Sequence, residues 1–271
     1  MVALDSSVLV GLSVLARASF NLVQNITFDG AAGQSVDTSQ WNFITDLHVN
    51  NEVQQYTTST DNIQLSGNGT VLVIPRKSAD GKWTSGRIES KEAFTPQDGK
   101  ITRFESVLRF GDAPKEKQQG IWPAFWMLGE SSRQGVPWPE CGELDIMERI
   151  NGDAKGHGTP HCGKGDVPCG ALTKTVPLPD GGFHTWALEV DRTVADFNKQ
   201  SITWFLDQTK YNTVTGADVK DEGIWKTIAQ SPMYFILNVA VGGNFPGAPN
   251  DQTADGLSTM MEVKYIAVSS T

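Results

Sequence analysis

Glu143-Leu144-Asp145-Ile146-Met147-Glu148 sets three carboxylates against three apolar side chains within six residues. Side chains alternate faces along a strand, so Glu143 and Asp145 share one face while Leu144 and Ile146 take the other. Strict alternation would send Glu148 inward with the apolar set, where an unpaired carboxylate is costly. One extra residue near Met147, a β-bulge, returns Glu148 to the face of Glu143 and Asp145 and leaves Met147 among the apolar groups. Arg149 would then turn inward unless the strand stops, and Asn151-Gly152-Asp153 reads as that stop. The alternative is a solvated strand face with no chemistry, so the surroundings must decide.

The stretch just before it is Ile121-Trp122-Pro123-Ala124-Phe125-Trp126-Met127-Leu128. Trp122, Ala124 and Trp126 alternate with Pro123, Phe125 and Met127, which puts two indoles on one face and an apolar row on the other. Trp138 follows in a Pro-rich loop five residues before Glu143. An indole face stacks on a sugar ring and its N–H donates to hydroxyls. Trp126 and Trp138 are therefore expected to contact sugar. Trp122, flanked by Ile121 and Pro123, is expected in the core. Two glutamates beside a groove, with an aspartate between them, are suited to cleaving a glycosidic bond.

Farther out the chain is a series of short strands. Thr70-Val71-Leu72-Val73-Ile74, Thr185–Val190, Ser201–Leu206 and Glu262–Val268 are rich in β-branched and aromatic residues. Asp29-Gly30, Ser66-Gly67-Asn68-Gly69, Asp80-Gly81, Asp98-Gly99 and Asp180-Gly181-Gly182 mark turns. The best helix-like piece is a short one near Gly223-Ile224-Trp225. This pattern predicts an all-β protein, a two-sheet sandwich of the β-jelly-roll kind whose concave sheet carries the acidic strand.

The length of 271 residues suits one large sandwich domain, and the net charge of -9 with no basic cluster excludes a nucleic-acid surface. A neutral polymer is the expected partner, and a monomer the expected state. Cys162 and Cys169 enclose a short loop that a disulfide could close if the Cα geometry permits, while Cys141 reads as a small buried hydrophobe. The cysteines and His161 lack the paired ligand sets of a zinc site. Val8–Leu15 followed by Ala16-Arg17-Ala18 resembles the end of a secretory signal, and is too short to span a membrane. Asp5 and the lack of an early basic residue count against the signal reading. Two glycosylation sequons, at Asn25 and Asn68, agree with an extracellular location. The expected organisation is an N-terminal segment over 1–19, read as a signal remnant, and a single catalytic domain over 20–271.

Trp122–Gly129 together with Gly142–Glu148 resembles glycoside hydrolase family 16 in its laminarinase-type, fungal-like form. Asn50–Gln54, Thr84–Ser90, Gly158-Thr159-Pro160-His161 and Leu237–Gly247 match further motifs in the expected order. The resemblance implies a concanavalin A-like jelly roll and endo-hydrolysis of β-1,3-glucan with retained configuration, mixed β-1,3-1,4-glucan being open. It implies Glu143 as nucleophile, Glu148 as acid/base and Asp145 between them, with no cofactor. Arg87, Asn51, Trp126, Trp138 and His161 match positions that line the cleft. Related enzymes often hold a structural calcium where this chain has Thr27 and Lys264, and a hard cation tolerates no ammonium among its ligands, so no metal is expected there. Transglycosylation on the same covalent intermediate, or non-catalytic glucan binding, are the rival functions. The presence of both glutamates counts against pure binding.

Overall fold

The computed structural model describes residues 19–271, so the run Val8–Ala18 lies outside the described residues. Two antiparallel sheets face each other across the core. The first, the cleft sheet, has seven strands in the order Lys174–Pro177, Lys155–His161, Glu143–Glu148, Ile121–Gly129, Met233–Val241, Arg87–Phe94 and Trp41–Phe43. The second, the back sheet, runs Thr209–Thr215, Ser201–Leu206, His184–Asp191, Ile101–Phe110, Met261–Ser270, Val71–Val73 and Ile63–Leu65, with Asn21–Thr27 also paired to Met261–Ser270. A small third sheet joins Gln54–Tyr56, Trp83–Ser85 and Arg76–Lys77. The strands expected from sequence are all present, as is the short helix, Glu222–Ala229. Asp221 caps that helix by accepting from the Ile224 N–H, and the helix buries Trp225, Ile228 and Ala229.

Alternation fills the space between the sheets. Leu144, Phe125, Met127 and Phe235 from the cleft sheet pack with Phe104, Leu188 and Trp204 from the back sheet, all essentially solvent-free. Burying each such side chain is worth about 1.5–3 kcal/mol, and the outward residues of the same strands are thereby left to form a cleft.

The acidic strand is bulged where the carboxylate spacing requires it. Against Ile121–Gly129, Asp145 pairs with Trp126 and Met147 with Phe125, so Ile146 has no partner. Against Lys155–His161, Asp145 pairs with Thr159 and Glu148 with His157, leaving Gly158 opposite both Ile146 and Met147. Ile146 and Met147 both enter the core. A bulge frees backbone groups from the ladder, and buried ones need other partners. The Trp204 indole N–H donates to the Asp145 carbonyl at 2.7 Å, and the Tyr211 hydroxyl donates to the Ile146 carbonyl at 3.3 Å. Only glycine at 158 admits these donors: a Cβ there would lie 2.5 Å from the Tyr211 hydroxyl and 2.6 Å from Trp204 Cδ1. The strand stops at Glu148, and Arg149 donates to the carbonyls of Gly152 and Asp153 at 2.8 Å each rather than entering the core.

Cys162 and Cys169 form a disulfide with Cα atoms 5.4 Å apart, and Cys141 is a buried free thiol. Lys264 places its ammonium over the Phe183 ring, 4.1 Å from the centroid. No helix among the described residues is long and apolar enough to cross a membrane.

Candidate active site

Three neighbouring strands of the cleft sheet bring the carboxylates, tryptophans and His161 onto one face. Glu148 is buried, and the Trp122 indole N–H donates to its Oε1 at 2.8 Å. This corrects the expectation that Trp122 belongs to the core. Trp122 is half-buried on the cleft face, edge-on to Phe245 with ring centroids 5.5 Å apart. Its alternation with Trp126 pointed that way, since strand parity turns its neighbours Ile121 and Pro123 inward and Trp122 outward.

His161 lies directly opposite Glu143 on the adjacent strand. Its Nε2 is 3.3 Å from Asp145 Oδ2 and 3.8 Å from Glu143 Oε1, and its Nδ1 is 2.7 Å from Asp166 Oδ2. Asp145 Oδ2 is buried and makes no well-formed hydrogen bond, so the imidazole is its nearest partner. Trp138 is 56% exposed, and its ring centroid lies 5.5 Å from that of His161. An open indole beside the carboxylates has the placement expected of a sugar platform.

Burial first, then Asp145, pushes Glu143 up to about 8, while His161, Trp138 and Arg87 oppose the rise. Burial and Asp145 also push Glu148 well above the usual carboxylate range, and the Trp122 N–H is the main opposing influence. Burial alone would lower the pKa of His161, but the carboxylates of Asp145, Glu143 and Asp166 outweigh it and push it up to about 10. One atom each from Glu143, Asp145 and His161 lies within 4.8 Å of the others, near enough to share a cation. A cation there would have to displace the proton that the surrounding carboxylates favour on the imidazole.

Trp126 pairs with Asp145 across the ladder and donates its indole N–H to Asn238 Oδ1 at 2.7 Å. The Asn238 amide donates to the Tyr56 hydroxyl at 3.1 Å, and Tyr56 donates to Glu52 at 3.3 Å. Arg87 is buried, donates to Glu89 Oε1 at 3.1 and 2.7 Å, and stacks its guanidinium 4.9 Å from the Trp126 ring centroid. It thus braces Trp126. Asn51 sits apart on an exposed rim loop with left-handed backbone (φ 58°), and its amide donates to Asn244 at 2.7 Å. Of the residues expected to line the cleft, Trp126, Trp138, His161 and Arg87 gather around the carboxylates, while Asn51 reaches only the rim. Asp166, Asn238 and Tyr56 were not singled out from sequence. Asn238 and Tyr56 meet across strands distant along the chain, whereas Asp166 is only five residues from His161 but sits in a loop with no periodicity to mark the contact.

A family model described as XgeA-like, catalytic GH16 domain matches residues 42–176, a span that contains all three carboxylates. The endo-1,3-β-glucanase of Streptomyces sioyaensis superposes with a TM-score of 0.86 at 37% identity, over 94% of this chain and 97% of that one. The chain belongs to glycoside hydrolase family 16. Its sandwich is the family's β-jelly roll. A glucan endo-1,3-β-glucosidase from Cryptopygus antarcticus is 31% identical over 84% of this chain and 85% of its own length. A variant of a non-specific endo-β-1,3(4)-glucanase of the family, 25% identical with a TM-score of 0.72 over 93% of this chain and 95% of that one, presents 1,3-β-D-cellobiosyl-glucose at its active site. The chain spans 38% and 29% of the lengths of two longer curated relatives, each 28% identical to it. The fungal form suggested by the sequence has no support among these relatives.

Proposed function

We propose that this chain is a secreted, retaining endo-β-1,3(4)-glucanase, with residues 20–271 as its catalytic domain. The observation that carries this reading is the pair of glutamates held on one cleft face with unequal means of keeping a proton. Glu143 faces the His161 imidazolium, with Trp138 and Arg87 also opposing protonation, whereas Glu148 has chiefly the Trp122 N–H against it. The group with less opposition keeps its proton and serves as acid. Glu143 attacks the anomeric carbon as Glu148 gives its proton to the departing glucosyl oxygen. Glu148, now ionised, takes a proton from water, whose oxygen displaces Glu143 and releases the sugar with its original configuration. Asp145 raises the pKa of both glutamates and so favours the shared-proton states between the two steps. The Trp126 and Trp138 indoles supply stacking surface for glucosyl rings. The disulfide supports an oxidising, extracellular setting.

Incubation with laminarin, lichenan and cellulose tests the reading. Laminarin should fall to short oligosaccharides, lichenan should report whether mixed linkages are cut, and cellulose should remain intact. Proton NMR of the first-formed product should show the β-anomer. Intact laminarin and lichenan, or an α-product, would refute it.

A further inference from the structure

Asp166 lies outside the acidic strand, and the two displacement steps make no use of it. It belongs to the loop 163–168, which the Cys162–Cys169 disulfide closes. Several features of that loop converge on one carboxylate. Asp166 adopts left-handed backbone (φ 61°), a conformation that is unfavourable without glycine and persists where neighbours enforce it. Its Oδ1 accepts the Cys162 backbone N–H at 3.2 Å, while its Oδ2 lies 2.7 Å from His161 Nδ1. Gly170 leaves the space the carboxylate occupies, since a Cβ there would fall 2.2 Å from Asp166 Oδ2.

We infer that Asp166 is a positioning residue for the proposed hydrolysis: anchored by the Cys162–Cys169 loop, it fixes the His161 ring so that the Nε2 edge faces Asp145 and Glu143. A carboxylate on Nδ1 sets both the orientation of an imidazole and the charge it carries. With Asp166 in place the ring presents a positive edge to two carboxylates that would otherwise repel each other at close range. Without it the ring is free to turn, Asp145 Oδ2 loses its nearest partner, and ionised Glu143 becomes harder to maintain. The charged or titratable groups around Glu143 are Asp145, Glu148, His161, Arg87 and the Cys141 thiol, and those around His161 are Glu143, Asp145 and Asp166. Among these, Asp166 alone touches His161 without lying in the cleft. It can therefore be changed without altering a group that meets substrate.

The inference rests on the glucanase reading, and its test separates the two. Asp166→Asn keeps the shape of the side chain but cannot stabilise the imidazolium as a carboxylate does. In the variant, the His161 imidazole, followed by NMR titration, should lose its proton at least about one pH unit lower than in the parent. On laminarin, kcat/KM should fall by about 10–100-fold, the usual scale for removing an orienting partner. The acid limb of its pH profile should move to higher pH, because Glu143 must be ionised to attack and has lost support for its charge. Asp166→Glu should recover part of both. The Cys162→Ser/Cys169→Ser double variant should move the titration and the limb in the same direction by less, which gives a second route if Asp166→Asn fails to fold. An unchanged His161 titration and acid limb in a folded Asp166→Asn protein would overturn the inference. Should the parent cleave no β-glucan, the function reading fails, and the titration alone then decides whether Asp166 governs His161.

Discussion

The Trp204 indole N–H, reaching across the sandwich from the back sheet, donates to the backbone carbonyl of Asp145 at 2.7 Å. A buried core residue thus holds the main chain beneath the central carboxylate of the cleft. Trp204→Phe keeps the ring in place but strands that carbonyl. A buried group left without its partner costs about 1–3 kcal/mol, so urea denaturation should show a loss of that size. Turnover of laminarin should fall as well, since Asp145 and the bulge lose their anchor. A variant that is less stable yet turns over at the parental rate would show that the bulge keeps its shape without this bond.

Glu143→Gln should abolish nearly all hydrolysis while leaving glucan binding largely intact, because the amide keeps the shape but not the nucleophilicity of the carboxylate. Glu143→Ala supplied with azide should yield a glycosyl azide of inverted configuration, and Glu148→Ala one of retained configuration. Anomeric assignment by NMR distinguishes the two roles. If the two variants give the opposite pattern, the assignments must be exchanged.

Trp122→Phe should shift the pH profile rather than the fold. The Trp122 N–H is the chief influence lowering the pKa of Glu148, so its loss raises that pKa further. The proposed acid is active when protonated, and activity is lost as pH rises through its pKa. The alkaline limb should therefore move to higher pH in the variant. Trp138→Ala should instead weaken oligosaccharide binding, by about 0.5–1.5 kcal/mol if one indole–sugar contact is lost, with little change in melting temperature because the indole is 56% exposed. Binding calorimetry and a pH series on the two variants read these effects separately.

Melting temperature should respond to neither calcium nor chelator. A ligand at 100 times its Kd adds about 2.7 kcal/mol to the stability of the state it binds, which a thermal melt would register. Lys264 stands where the family resemblance would put a calcium-binding aspartate, and it packs against Phe183. A calcium-dependent rise in melting temperature would mean that the Thr27 and Lys264 register is wrong or that another site holds the ion.

What the sequence makes legible here is whatever depends on local period. Alternation along 143–148 demands a bulge, and a bulge near Met147 is found, displaced by one residue onto Ile146 in the pairing with Ile121–Gly129. The same alternation places Trp122 beside Trp126. Judging Trp122 by its apolar neighbours, rather than by its parity, sent it to the core instead. The donors that satisfy the bulge, Trp204 and Tyr211, lie some sixty residues farther along the chain on another sheet. Asp166 was missed for a related reason: its loop has no periodicity, and only the fold reveals that its carboxylate points back at His161.

The hydrogen bonds from Trp126 through Asn238 and Tyr56 to Glu52 run in one direction only. Tyr56 is wholly buried, and burial followed by the charge of Glu52 raises its pKa, so its hydroxyl keeps its proton and the order of donors cannot reverse. Glu52 also accepts from Asn50 and Gln54, which ties the end of this relay to the rim loop that carries Asn51. The tilt of the Trp126 indole is therefore coupled to the rim. Under the proposed function, a glucan long enough to press on residues 50–52 would act on that indole through three hydrogen bonds in series, a contact that a short oligosaccharide would not make.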